Sequence, residues 1–173
     1  MADNSSTGRR VFVGIGSNMG DRARNLLSAV RGMTDAGLSV ARLSSIYETA
    51  PVDVVDQPMF LNMVAELSPV ALPLPEQLLA RLLRIEYALG RRRDALSVRG
   101  GARIIDLDLL LYGDTRSDTD FLQLPHPRLH LRRFALTPLA ELAPRLIHPT
   151  LHKTIGELIA TTSDHSAVAH WQS

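Results

Sequence analysis

No cysteine occurs among the 173 residues. A disulfide framework, a thiolate nucleophile and a Cys-based metal site are therefore excluded, and a reducing, cytoplasmic setting is expected. Lysine is almost missing, with Lys153 the single copy. The Gly-Lys-Ser/Thr loop that cradles nucleotide phosphates is thus unavailable, and Gly20 is followed by Asp21 and Arg22. Aromatic residues make up 5% of the chain, which is thin for a sheet that stacks bases. No run approaches the roughly 20 apolar residues of a membrane span. The first ten residues, Met1 to Arg10, lack an apolar signal core. A surplus of either charge is missing as well: 19 basic residues face 18 acidic ones, for a net charge of +1. Such a chain has no global field to gather nucleic acid or anionic membrane. Any anion site must come from local clustering.

What is present suits one soluble domain. Hydrophobic residues make up 45% and charged residues 21%. Residues 1–10 read as a disordered tail and 161–173 as a polar C-terminal tail. Val11–Ser17 is a short apolar strand, and Asp21–Ala36 repeats Ala23, Leu26, Leu27, Val30 and Met33 at helical spacing, with Asn18 or Asp21 as cap and Gly37 as stop. Leu38–Tyr47 and Phe60–Ser68 read as strands, with a two-proline loop between them. Pro75 opens a helix that runs through Leu89, with Gly90 as its stop. Arg91–Ala102 is a polar glycine-containing loop, and Arg103–Tyr112 is a strand of the buried kind. Leu122–Pro127 reads as an extended piece, Arg132–Leu142 as a helix broken near Pro138, and Thr154–Ala160 as a last short helix. The order predicts an α+β fold: a ferredoxin-like βαββαβ core with an antiparallel sheet, helices packed on one face of it and C-terminal additions.

The most informative feature is Asp106-Leu107-Asp108. Residues i and i+2 of a strand share a face. Leu107, Leu109 and Leu111 then point one way, while Asp106, Asp108 and Leu110 point the other. Two carboxylates lie side by side in an apolar run, where unpartnered charge is costly. Their positions are roughly 6.6 Å apart along the strand, at about 3.3 Å per residue. That spacing suits carboxylates bracketing one or two hard cations, and an oxygen-only set favours Mg²⁺. The plain alternative is an edge strand with its polar side in water.

Arginines flank this pair. Arg91, Arg92, Arg93, Arg99 and Arg103 precede it, and His126, Arg128, His130, Arg132 and Arg133 follow. Guanidinium forks match phosphate oxygens and stay charged. Two carboxylates between arginine clusters, in a near-neutral chain, suggest a triphosphate with its metal. For Arg92 and Arg99 a solvated basic loop is explanation enough, and His126 between two prolines could simply satisfy a turn.

Gly14-x-Gly16-x-x-x-Gly20 invites comparison with a dinucleotide fingerprint. The acid expected about 20 residues later is missing: Leu38–Tyr47 has Arg42 as its one charge. An NADP-dependent reductase is therefore a weaker reading. A non-catalytic ferredoxin-like ligand-binding or RNA-binding module is the main alternative to an enzyme.

The stretch Arg99-Gly100-Gly101-Ala102-Arg103-Ile104-Ile105-Asp106-Leu107-Asp108-Leu109-Leu110 resembles the signature of the 6-hydroxymethyl-7,8-dihydropterin pyrophosphokinases. Gly14-Ile15-Gly16-Ser17-Asn18, Tyr47-Glu48-Thr49-Ala50-Pro51, Gln57-Pro58-x-Phe60-Leu61-Asn62, Leu124-Pro125-His126-Pro127 and Arg132-x-Phe134 resemble other parts of that family, in the same order. The likeness covers about residues 11–160. It implies one pyrophosphokinase domain there, transferring diphosphate from ATP to the pterin hydroxymethyl group in folate biosynthesis. Asp106 and Asp108 would bind two Mg²⁺ ions. Arg91, Arg93 and Arg103 would hold phosphates and the loop over them. Glu86, Leu109, His126 and Arg132 would lie at the nucleotide. Thr49, Ala50, Pro51, Val52, Phe60, Asn62 and Phe134 would form the pterin site, with the two phenylalanines sandwiching the ring and Asn62 bonding its edge. Val98 and Gly100 stand where the family often has a loop tryptophan, and Ala102 where it often has proline, which implies a different lid. The implied partners are the small molecules ATP and pterin, with no nucleic acid and no membrane, acting on a monomer.

Overall fold

The computed structural model describes residues 9–52, 56–92 and 101–172. The expected N-terminal tail falls, as far as Gly8, outside the described residues. The chain runs β1 (Val11–Ser17), α1 (Arg22–Asp35), β2 (Val40–Leu43), β3 (Tyr47–Thr49), β4 (Phe60–Leu67), α2 (Pro75–Ala88), β5 (Asp106–Tyr112), β6 (Ser117–Asp118), β7 (Gln123–Leu124), a 3-10 turn (Leu129–Leu131), α3 (Arg133–Leu142), α4 (Ile155–Thr161) and β8 (Val168–His170). The main sheet has the order β5-β1-β4-β3-β8, with β2 also on β4, and its listed pairings are antiparallel. This is the ferredoxin-like arrangement that the element order predicts.

Local chemistry sets the helix ends. Asp21 caps α1, its Oδ1 accepting from Arg24 N at 3.0 Å. Pro75 opens α2, where the missing N–H costs nothing. Gly90, at φ +100°, takes the left-handed turn that ends it. Thr154 and Glu157 form a reciprocal capping box on α4.

Alternation divides the side chains between two cores. Val11, Val13 and Ile15 of β1, Leu61, Met63 and Ala65 of β4, and Leu107 and Leu109 of β5 pack against α1 and α2. Phe12, Val64 and Leu110 face the other way, onto α3 and α4. Helices thus cover both faces, not the one expected. The C-terminal helices bury apolar strand residues that water would otherwise reach.

Other expectations change as well. The strand expected over 38–47 is two short strands. Between them Ser44 Oγ takes the Val64 N–H of β4 at 2.9 Å, so a side chain replaces the ladder. The strand at 103–112 begins only at Asp106, because Arg103 N and O are bonded to Asn18 instead. A bulge opposite Phe12 and Val13 turns Leu111 onto the α3 side beside Leu110, so Leu111 does not share a face with Leu107 and Leu109. Leu27 is 59% exposed and leaves the α1 stripe to Leu26, Ala29 and Met33. α3 continues through Pro138, which forfeits one rung and packs as a buried residue. The segment after 160, expected to trail away, supplies the edge strand β8, and Trp171 packs on the first core.

Beyond α3, His148 is buried and its Nδ1 accepts from Thr150 N and Leu151 N at 3.4 and 3.3 Å. Burial, with a smaller push from His130, depresses its pKa to about 4. The native state holds this ring neutral while the unfolded chain takes up a proton below about 6.5, so its contribution is present at neutral pH and lost as pH falls from about 6.5 to 4. Urea midpoints measured across that window should decline, and His148→Asn, which keeps an acceptor for the turn, should remove about 2 kcal/mol of the decline.

Candidate active site

The α3–α4 layer covers only part of its face of the sheet. Where β1 passes from Phe12 to Gly14 and Gly16, no side chain rises from the central strand, and a cleft opens. Its floor carries Asn62 and Phe60 of β4 on one side and Asp106, Asp108 and Leu110 of β5 on the other. These residues alternate with those of the first core, as strand geometry requires. The end of β3 adds Thr49 through Val52. Arg132, Phe134 and Ala135 come from the start of α3, and Leu129 from the turn before it. A Cβ on Gly16 would lie 2.6 Å from Asn62 Oδ1, so only glycine there lets the amide lie flat against the strand.

One end of the cleft is built for a flat ring. Asn62 is 8% exposed and donates Nδ2 to Thr49 Oγ1 at 2.7 Å. That bond fixes which way the amide presents its donor and its acceptor. Phe60 and Phe134 line the same space. The Arg103 guanidinium lies 5.6 Å from the Phe60 ring centroid, and that of Arg132 lies 5.4 Å from the Phe134 centroid. Both contacts are within cation–π range and join the ring end to the charged end.

At the charged end the two aspartates differ. Asp106 Oδ1 accepts from Arg91 and Oδ2 from Arg103, the latter at 2.6 Å. Burial alone would raise its pKa, but the two arginines outweigh that and hold the carboxyl below its ordinary value. Asp108 has only Arg132, at 3.7 Å, among the ion pairs of the described residues. Burial and the neighbouring Asp106 push it up to about 7. The pair thus has one carboxylate already compensated and one whose charge calls for a cation.

Glu86 lies beneath, 2% exposed, near the end of α2. Its Oε1 accepts from Arg91 Nη1 at 2.8 Å and from Leu107 N at 2.7 Å. It neutralises Arg91 and ties α2 to the outer edge of β5. His126 projects from the other side. Burial, then Arg132 and Arg128, depress its pKa to about 4, and Nδ1 accepts from Arg128 N at 3.2 Å. The neutral ring therefore carries its proton on Nε2, which makes it a donor.

Of the residues expected here, Asp106, Asp108, Arg103, His126, Arg132, Thr49, Ala50, Pro51, Val52, Phe60, Asn62 and Phe134 come together in this one cleft. Arg91 and Glu86 support it from behind. Leu109 does not enter it: the side chain is 4% exposed in the first core, because it sits one position out of phase with the aspartates. Its amide and carbonyl instead face the outer edge of β5, two residues on from Leu107 N–H. Arg93 lies outside the described residues. Sequence reasoning missed Asn18, 2% exposed, which donates to Gln57 Oε1 and Pro58 O and exchanges bonds with Arg103 N and O. Asn18 thereby links the loops on both sides of the cleft. The Gly-x-Gly-Ser-Asn turn that was read as strand and cap was the signal for it.

The NADP reading fails on this geometry. Gly14 and Gly16 lie within a central antiparallel strand, not in the strand-to-helix turn of a parallel βαβ unit. A base-stacking surface fails too, since α3 and α4 cover that side of the sheet. Together the fold and cleft define an α+β domain that sets a slot for a planar ring beside an acidic pair ringed by arginines. The sequence profile of the family described as 7,8-dihydro-6-hydroxymethylpterin-pyrophosphokinase (HPPK) matches residues 12–144. The chain belongs to that family.

Relatives agree. A 2-amino-4-hydroxy-6-hydroxymethyldihydropteridine pyrophosphokinase of Bacillus subtilis is 43% identical over 132 residues, 76% of each chain. One of Aquifex aeolicus is 36% identical over 147 residues, 85% of this chain and 88% of the relative. A mitochondrial folate synthesis bifunctional protein of Arabidopsis thaliana is 40% identical over 97% of this chain, which spans 26% of that protein's length. This chain spans about a quarter of several such longer relatives. A crystal structure of Plasmodium falciparum HPPK-DHPS shares the fold, with a TM-score of 0.66 at 14% identity, over 91% of this chain and 46% of that one. Among the described residues no helix is long and apolar enough to cross a membrane.

Removing the carboxylate of Glu86 should leave Arg91 buried with less compensation and Leu107 N–H without its acceptor. Glu86→Ala is expected to cost about 3 kcal/mol in urea unfolding, and Glu86→Gln, which keeps an acceptor, clearly less.

Proposed function

We propose that the chain transfers the β,γ-diphosphate of ATP to the hydroxymethyl oxygen of 6-hydroxymethyl-7,8-dihydropterin, releasing AMP. One observation carries the reading: the ring slot of Asn62, Phe60 and Phe134 opens directly onto Asp106 and Asp108. A ring held there directs its substituent at the acidic pair, where a triphosphate would lie. The hydroxymethyl oxygen forms a bond to the β-phosphorus, the bond from that phosphorus to the AMP oxygen breaks, and the hydroxyl proton passes to solvent. Positioning and charge compensation do most of the work in such a transfer.

Each side chain has a part. Asn62, oriented by Thr49, pairs with the ring edge, and the two phenylalanines hold its faces. Arg103 and Arg132 reach from those phenylalanines to the phosphates. His126 donates Nε2–H to a phosphate oxygen. Arg91, and Arg93 beyond the described residues, complete the basic wall. The adenine edge finds main-chain partners at Leu109, whose amide and carbonyl line the sheet edge.

The donor set fits Mg²⁺. Two carboxylates share one strand face, and among the described residues no group of three or more His, Asp or Glu side chains gathers to hold a metal unaided. Asp106 and Asp108 would hold two ions, leaving the remaining oxygen positions to phosphate and water. When bound, such ions neutralise charge on the transferring phosphates. The reading includes a monomer, supported by every group named lying on one chain, and a cytoplasmic setting, supported by the absence of cysteine.

AMP release should depend on both pterin and Mg²⁺ and should fall at least 10³-fold in Asp106→Ala, followed by chromatographic separation of AMP from ADP. ADP as the product, or full turnover by the variant, would overturn the proposal. Gly16→Ala should push the Asn62 amide from its place and raise KM for pterin by about tenfold or more, with KM for ATP little changed. Steady-state kinetics with each substrate varied will check this.

A further inference from the structure

The two walls of the ring slot are separate elements. One is α3, which carries Phe134. The other is β3, which carries Thr49 and continues into Ala50, Pro51 and Val52. β3 is three residues long, and a strand so short needs bracing beyond its ladder to β4.

Glu141 supplies that brace. It lies seven residues after Phe134 on α3, two turns along the same side of the helix. Its Oε2 accepts from the Tyr47 hydroxyl at 2.8 Å, and its two oxygens accept from Ser45 N at 3.0 and 3.1 Å. Ser45 Oγ donates to Oε1 at 3.1 Å. One carboxylate thus gathers three donors from the residues that open β3. An acid this late in a helix is disfavoured by the helix dipole, so these bonds give it a reason to be there.

Tyr47 passes the constraint on. It is 6% exposed, and its ring lies 4.6 Å from that of His170 on β8. Burial, then Glu141, push its pKa up to about 12, so the hydroxyl is a donor throughout the working range. Tyr47 and Thr49 are two apart and share a face of β3. Tyr47 pairs with Asn62 and Thr49 with Phe60 across β4, and Thr49 Oγ1 holds the Asn62 amide.

We propose that the Tyr47–Glu141 contact is a positioning device that sets the width of the ring slot and the aim of Asn62, and so governs pterin affinity without touching either substrate. It rests on the pterin reading above. Loosening it should widen the gap between Phe134 and the Thr49–Val52 wall, while leaving the arginines and aspartates in place.

The test measures pterin binding to the full-length chain by the fluorescence of 6-hydroxymethylpterin, alongside KM for each substrate and kcat. Tyr47→Phe and Glu141→Ala are each expected to weaken pterin binding and raise its KM about five- to twentyfold. KM for ATP and kcat should stay within about twofold. The double variant should be no worse than the poorer single one, since both remove one contact. Glu141→Gln, which keeps an acceptor, should recover most of the affinity. Unchanged pterin affinity in both singles overturns the inference, as does an equal rise in KM for ATP, which would mark general loosening. A wild-type chain that releases AMP while its variants bind pterin normally leaves the proposed function standing and removes only the brace. A wild-type chain that neither binds pterin nor releases AMP overturns both.

Discussion

The costliest feature of this domain is the charge placed on one face of β5. Asp106 and Asp108 occupy a strand whose other side is core, and two carboxylates so placed repel each other and lose hydration. Much of the surrounding structure answers that cost. Arg91 and Arg103 take both oxygens of Asp106. Glu86 compensates Arg91 and also binds the β5 backbone, and Asn18 holds the segment that delivers Arg103. Asp108 is compensated less completely, so the site retains a demand for positive charge where a cation and phosphates are proposed to meet.

The ring slot depends on a different constraint, the absence of side chains. Gly14 and Gly16 leave the centre of the sheet bare, and the space is bounded by Asn62 and the two phenylalanines instead of being filled. Arg103 and Arg132 each lie over one of those rings. The two halves of the cleft are therefore mechanically joined: a shift of a guanidinium toward phosphate alters what lies over the ring site. A pocket made this way suits a reaction whose rate depends on bringing two substrates into line.

Much of this was legible from residues alone. The period-2 pattern around Asp106 put both carboxylates on one face, and the structure keeps them there. The spacing of Leu78, Leu82 and Ile85 marked the buried stripe of α2, and Pro75 and Gly90 marked its ends. The family resemblance drew together Phe60, Asn62 and Phe134, which are 74 residues apart at the extremes and which no local pattern connects. Leu109 shows the limit of such transfer: a position can belong to a site through its backbone while its side chain belongs to the core.

The sequence by itself determined what short-range physics controls: element type from periodicity, helix ends from caps and glycines, the shared face of the two aspartates, and the local abundance of arginine. Only the tertiary structure decided the rest. Covering the second sheet face with α3 and α4 depends on packing between segments far apart in the chain. The bulge that turns Leu111 depends on the register of β1 against β5. Recruitment of residues 168–170 as an edge strand, and of Glu141 as a brace on β3, depends on backbone and carboxylate groups finding partners about a hundred residues away. Local sequence carries no record of such partners, because burial and hydrogen bonding are settled only when the chain closes on itself.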